Sequence, residues 1–286
     1  MNRRYNTRMV HRTILLWSQQ DHIGRNMREA FWLNSERLDH IRKLGNANAL
    51  RLKPRWRRRS VSLAYLLGVL MGDGCLAKNS VVLETIDREF ADLFAGCLER
   101  QFGRKPSIYR RPGGPWLSNL NGKTYVRRPY LRAELCSREA VRFLKSIKYA
   151  HWVRSLSKPL LTAWLRGMWD SEGCIYQVTQ TKLWAVCFVN TDSVLANLFA
   201  EGLLKVARIS AIPHRSKGSA LWSIRIWRQD AIVRFFDIVQ PTIRRKRRRF
   251  ELARRRLSRR RKIHRRHIGP GQRLARRSSS LGSLRN

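Results

Sequence analysis

Acidic residues are scarce in this sequence: 19 Asp and Glu stand against 60 Lys and Arg, a formal charge of +41 on 286 residues. A chain so unbalanced repels itself unless a polyanion neutralises it, and nucleic acid is the expected partner. Long apolar runs are missing too. The longest, around residues 63–71, is too short to cross a bilayer and contains glycine, which argues against a membrane span. Residues 1–8 lead into His11, Arg12 and a polar stretch rather than an apolar core, so no secretory signal is expected and the protein is placed inside the cell. Cysteine is sparse and unpaired in pattern. Cys75, Cys97, Cys136, Cys174 and Cys187 include no CxxC spacing and are odd in number, which supports neither a disulfide framework nor a structural zinc site. They are expected as free or core thiols, Cys75 and Cys174 included.

Hydrophobic residues make up 43% of the chain, enough to fill a core. The sequence also repeats itself. LAYLLGVLMGDG at 63–74 aligns with TAWLRGMWDSEG at 162–173, an offset of 99 residues that matches Ala64, Leu66, Gly68 and Gly74 with Ala163, Leu165, Gly167 and Gly173. The acid Asp73 recurs as Glu172. A second pair starts at Asp87 and Asp192, each an N-cap candidate followed by helical periodicity, and a third is Val141-Arg-Phe-Leu with Val233-Arg-Phe-Phe. The offsets change from pair to pair, as they do when two copies of one unit differ in loop length. Strand-like runs at 81–86, 130–136, 183–190 and 221–229 lie between the helices. In the last, Trp222, Ile224 and Ile226 alternate with Ser223, Arg225, Trp227 and Gln229, the pattern of a half-buried antiparallel strand with a polar, cationic outer face. Each copy therefore reads as helix, two strands, helix, two strands, helix: an α+β fold of two pseudo-symmetric αββαββα halves.

On a helix, Ala64, Gly68 and Gly72 share one face, and Ala163, Gly167 and Ser171 do the same in the second copy. Two such small-residue faces can touch at backbone distance. The copies would then sit about a pseudo-twofold axis, with Asp73 and Glu172 side by side at its end. A carboxylate at a helix C-terminus opposes the macrodipole, and two neighbouring carboxylates repel. A divalent cation resolves both penalties, and paired hard oxygens suit Mg²⁺ or Mn²⁺. Taken singly, Asp-Gly and Glu-Gly are ordinary turn residues that end core helices. Their duplication on matched small-residue faces, in so cationic a chain, favours a functional pair that supports metal-assisted phosphodiester hydrolysis.

These residues resemble the LAGLIDADG homing endonucleases of the single-chain, two-motif type, over about residues 61–250. The resemblance implies a monomer that lays a saddle of two four-stranded sheets over double-stranded DNA. It implies a long, nearly asymmetric target site, with Asp73 and Glu172 as the catalytic and metal-binding acids. Met71 and Gly72 depart from the Asp-Ala of the family name. The resemblance further implies a strand Lys or Gln near the attacking water, for which Lys78, Gln177, Gln180 and Lys182 are candidates. Arg132, Arg225, Trp227 and Gln229, on outward sheet faces, are the candidate DNA contacts. No intein splicing signature stands at the chain's end, so a free-standing or intron-encoded protein is the expectation.

The chain divides on this reading into a basic extension at 1–60 with a helix near 26–43, a first repeat at 61–155, a second at 156–250, and a basic, largely disordered tail at 251–286, the Arg-rich stretch from Arg244 continuing first as a helix through Phe250 and Leu257. The tail's arginines suit sequence-independent phosphate contact. An alternative reading is an RNA maturase that assists splicing of its host intron RNA, and the basic flanks suit it as well. A DNA-binding regulator that cannot cut would be expected to have lost an acid, and neither is lost.

Overall fold

A computed structural model describes Trp56, residues 58–117 and residues 122–267. The helix expected near 26–43 and the last part of the tail lie outside the described residues. The first half runs α1 (Val61–Leu70), β1 (Gly74–Leu76), β2 (Ser80–Thr85), α2 (Arg88–Phe102), β3 (Ser107–Arg111), β4 (Gly114–Leu117), β5 (Thr124–Arg127), β6 (Tyr130–Cys136), α3 (Arg138–Ser146) and α4 (Tyr149–Arg154). The second runs α5 (Lys158–Glu172), β7 (Gly173–Gln177), β8 (Trp184–Asn190), α6 (Ser193–Ala207), β9 (His214–Arg215), β10 (Trp222–Ile226), α7 (Gln229–Val239) and α8 (Arg244–His267). Strand order is β1-β2-β6-β3 in one sheet and β7-β8-β10-β9 in the other, all pairs antiparallel, so the two halves share one topology.

Loop differences account for the drifting offset. The spacing widens from 99 residues at the acids to 105 at Asp87 and Asp192, where the β7–β8 turn is longer than the β1–β2 turn. It narrows to 92 at Val141 and Val233, because the first half alone carries the β4–β5 hairpin. The strand expected over 221–229 is shorter than its alternation promised. It stops at Ile226, and Gln229 becomes the first residue of α7.

Period-two alternation turns one face of each sheet onto helices. Val81, Leu83, Ala133 and Leu135 are buried with Phe90, Phe94, Leu98 and Phe102 of α2. In the second half Ile175, Val186, Phe188, Ile224 and Ile226 are buried with Leu195, Phe199 and Leu203 of α6, and the Phe188 and Phe199 rings stack at 4.2 Å. Each fully buried Phe contributes roughly 2 kcal/mol. The opposite parity faces outward, and this corrects the reading of two cysteines as core thiols. Cys75 and Cys174 are exposed, because strand alternation points them away from the helices.

The halves meet along α1 and α5. A β-carbon on Gly68 would collide with the Trp164 carbonyl, and one on Gly167 with the Tyr65 carbonyl, so the two backbones are in direct contact. Asp170, almost fully buried on α5, fastens the join. It accepts hydrogen bonds from Tyr65 Oη on α1 (3.1 Å) and from the Thr242 amide (2.9 Å).

The Arg-rich stretch runs on as a helix past residue 250, as expected of its first part through Phe250 and Leu257. Residues 244–267 form one 24-residue helix, α8, about 36 Å long. Its start is docked through buried Ile243, Lys246, Phe250 and Ala253, with Phe250 stacked on Phe236 of α7 at 3.8 Å. Acidic partners from the first half offset its self-repulsion: Arg244 pairs with Glu89 at 3.2 Å and Arg245 with Asp87 at 3.0 Å. Asp87 was expected to cap α2. Its carboxylate makes no capping bond and takes the charge-assisted pair with Arg245 instead, whereas Asp192 does cap α6, accepting from Val194 N at 2.7 Å.

The backbone contact gives a direct test. Gly167→Val drives a branched side chain into the Tyr65 carbonyl with nowhere to move, and is expected to lower unfolding free energy by about 3 kcal/mol, read as a fall in the urea midpoint.

Candidate metal and nucleic-acid site

The two motif helices end differently although their sequences correspond. α1 releases at Leu70, and Met71 to Asp73 form a tight turn in which Gly72 N donates to Val69 O at 3.1 Å. α5 remains helical through Glu172, with Ser171 Oγ donating back to Gly167 O at 3.1 Å. Gly72 has low helix propensity and Asp170 is held by Thr242, so the second copy keeps a turn that the first gives up. The ends still meet. A β-carbon on Gly72 would lie 3.0 Å from Glu172 Cγ, which puts the turn bearing Asp73 against the Glu172 side chain.

Electrostatics reflects that meeting. Crowding by protein raises the Asp73 pKa although the residue is exposed, while Lys246 and Arg245 pull it down. Glu172 is raised to about 7, first by burial and then by the charge of Asp73, with Lys246 opposing. Asp73 ionises first, so the repulsion between the two falls on Glu172. Among the described residues no group of three or more His, Cys, Asp or Glu side chains could hold a metal ion. A pair of carboxylates fits an ion such as Mg²⁺, which takes one or two of them and fills its remaining positions with water and phosphate oxygens.

Beside Asp73 opens a cleft of roughly 440 Å³ lined by Cys75, Ala77, Val82, Glu84, Arg127 and Arg132. Arg132 Nη1 binds Glu84 at 2.9 Å and its Nε binds Glu134 at 3.1 Å; Arg127 also binds Glu84, at 2.7 Å. The Arg132 pair holds the Glu134 carboxyl down at about 2. In the second half the outward face carries exposed Arg225 and Trp227, whose indole meets Tyr176 edge-on at 6.5 Å. Cys174 and Cys187, both free thiols, lie directly opposite on β7 and β8, and hydrogen bonding between them lowers the Cys174 pKa and raises that of Cys187. Gln229 is spent on the fold, with Nε2 donating to the carbonyls of Trp184 (2.9 Å) and Trp227 (2.6 Å).

The four candidate water-network residues are not brought to the acids. Lys78 lies exposed in the β1–β2 turn, and Gln180 and Lys182 lie exposed in the β7–β8 turn. Gln177 closes β7, roughly 13 Å of strand beyond Gly173, where it accepts from Arg256 at 2.7 Å and donates to Lys182 O at 2.8 Å. A different lysine stands near the pair. Lys246 Nζ donates to the carbonyls of Asp170 (2.6 Å) and Trp169 (2.8 Å) in the last turn of α5, and lies 4.8 Å from the Trp169 ring centre. Burial lowers its pKa to about 8, against the pull of Asp170. In sequence it is hidden as the single lysine of the run 244–249, and Asp170 by having Met71 as its counterpart.

A pH dependence follows. The Glu172 pKa is raised on folding, so its protonated form is favoured in the native state. Its contribution to stability is present below about pH 4.5 and is lost as pH rises through about 7. Solvent screening of a half-buried group leaves roughly 1–2 kcal/mol in that window. Without metal, Glu172→Gln should therefore flatten the decline in urea-unfolding free energy between pH 4.5 and 7.5, and an unchanged slope would show that the carboxyl is not desolvated.

The LAGLIDADG-like domain matches residues 60–148 and again 159–240. No curated protein matches the chain. Variants of the homing endonuclease I-DmoI are 16% identical, at a TM-score of 0.44 over 63% of this chain and 96% of theirs. I-DmoI in complex with DNA and Mn gives the same identity and TM-score over 63% and 97%. Full-length DUF199/WhiA from Thermatoga maritima is 14% identical, with a TM-score of 0.48 over 79% of this chain and 68% of that one. The two domain matches fall on the two halves built about Asp73 and Glu172 and together span more than half of the sequence: the chain belongs to the LAGLIDADG-like domain family.

Proposed function

We propose that the chain is a monomeric, site-specific endonuclease that cuts both strands of double-stranded DNA with Mg²⁺ or Mn²⁺, intron-encoded and acting at a long, nearly asymmetric site. One observation carries this reading. Two acids stand at the joined ends of a helix pair whose backbones touch, and each acid comes from a different copy of the repeat. A duplex offers two antiparallel scissile phosphates, and a pseudo-twofold pair of acids matches that arrangement. Divalent metal would supply an activated water and neutralise charge on the phosphate oxygens. Asp73 and Glu172 would hold and orient it, and the helix contact would fix their spacing.

Binding rests on the charge of the chain and on the outward sheet faces. Arg225 and Trp227 are open to a base edge or a sugar. Arg132 first has to exchange Glu84 or Glu134 for a nucleotide, so it acts as a preorganised donor rather than a free one. Gln229, engaged with Trp184 and Trp227, is left out of the contact set. Arg247, Arg248 and Arg255 on the exposed side of α8 add phosphate contacts that carry no sequence information.

The test is cleavage of a DNA library spanning uninterrupted insertion sites, in Mg²⁺, by the full chain and by Asp73→Asn and Glu172→Gln. Double-strand cutting at one site is expected, falling by about 1,000-fold or more in each variant while DNA affinity stays within about threefold. Binding of intron RNA with faster splicing and no DNA cleavage would instead establish a maturase.

A further inference from the structure

Lys246 lies beyond both domain matches, the second of which ends at residue 240, yet its amine is delivered to the end of α5 that carries Glu172. It is 5% exposed, its Nζ donates to the Asp170 carbonyl at 2.6 Å in the same last turn of α5 that carries Glu172, and of the carboxylates around it the buried Asp170 draws on its charge most, ahead of Asp73. Two duties are open to such a residue. As a cap it supplies donors to the Trp169 and Asp170 carbonyls in the last turn of α5, the first of which also accepts from Gly173 N–H. As a counter-charge it offsets carboxylates crowded at one end of the helix pair. A cap needs only donors, and a neutral amide or hydroxyl provides them without the desolvation of a buried ammonium. That cost is recovered where the charge itself is used.

The anchoring of α8 points the same way. Arg244 and Arg245 hold Glu89 and Asp87 of the first half, Arg249 Nη1 donates to Ile175 O of β7 at 3.3 Å, and Phe250 is stacked on Phe236. Lys246 lies among these four fastenings and cannot withdraw from the pair without undoing them. We propose that Lys246 is the resident counter-cation of the Asp73 and Glu172 pair, a positioning residue supplied by the C-terminal helix that holds both carboxylates together before metal or nucleic acid arrives. The assignment rests on reading those two acids as the working pair. It makes α8 a component of the site.

A double-mutant cycle separates charge from capping. Melting temperatures of the full chain are measured at pH 7.5 in a metal chelator for the parent, Lys246→Met, Asp73→Asn/Glu172→Gln, and the triple variant. Lys246→Met is expected to lower the parent's melting temperature by about 6 °C, and that of the variant lacking both acids by less than half as much. Equal losses in the two backgrounds would reduce Lys246 to a helix cap and overturn the proposal. If Lys246→Met alone does not fold, recovery of folding in the triple variant supports the proposal and failure of both overturns it. Because the cycle is read without metal or DNA, a chain that cuts DNA but shows equal losses loses only this inference. A chain that cuts no DNA but shows the coupling loses only the nuclease reading.

Discussion

The contact between α1 and α5 is the constraint on which the rest of the molecule depends. Gly68 and Gly167 let two helix backbones touch, and everything that makes the chain more than two small sheets follows from how closely they approach. Wider spacing would separate Asp73 from Glu172 and break the bond from Tyr65 to Asp170, leaving a buried carboxylate with one fewer donor. The motif thus does two things with adjacent residues: its small face builds the interface, and its last acid is carried by that interface to the acid of the other copy. This economy has a price in stability, since the interface brings two like charges together at helix ends.

α8 answers that price from beyond the two domain matches. It touches the first half through Asp87 and Glu89, the second through Ile175, Gln177 and Phe236, and the junction through Lys246. β7 is an end strand of its sheet, and the Arg249 bond to Ile175 O covers part of an edge that would otherwise invite pairing. A run of arginines that reads as self-repelling becomes helical because it meets carboxylates, carbonyls and an aromatic ring at the right periodicity.

Much of the fold was legible because its signals were local and duplicated. The small-residue faces, the strand alternation and the recurrence of an acid at 73 and 172 each depend on spacing within a dozen residues, and the second copy confirmed the first. What escaped depends on which partner wins a competition between distant groups. Asp87 has the form of an N-cap, yet a guanidinium 158 positions away outbids the backbone amides. Gln229 continues an alternating strand in sequence, but its amide is worth more closing the β10–α7 corner against Trp184 and Trp227. Lys246 looks interchangeable with its arginine neighbours until Phe250 and Ala253 turn it inward. Cys75 and Cys174 were read by composition as core thiols, where strand parity would have placed them outside.

The two halves have kept their contact and diverged on their outer faces. The first presents a grid in which Glu84, Arg127, Arg132, Glu134 and Tyr109 satisfy one another, whereas the second presents Arg225, Trp227, Tyr176 and the exposed Cys174 with little acid among them. A polyanion lying across both would meet a surface that must give up internal ion pairs on one side and one that gives up almost nothing on the other. The grid's donors are oriented before binding, so a base that replaces a carboxylate oxygen with an acceptor of its own is welcomed, and one that cannot leaves a charge unpaired. The open face discriminates less and holds more by charge and ring contact. On the proposed reading, selectivity would fall more heavily on the first repeat and grip on the second and on α8, a division open to a chain in which only the helix contact has to remain symmetric.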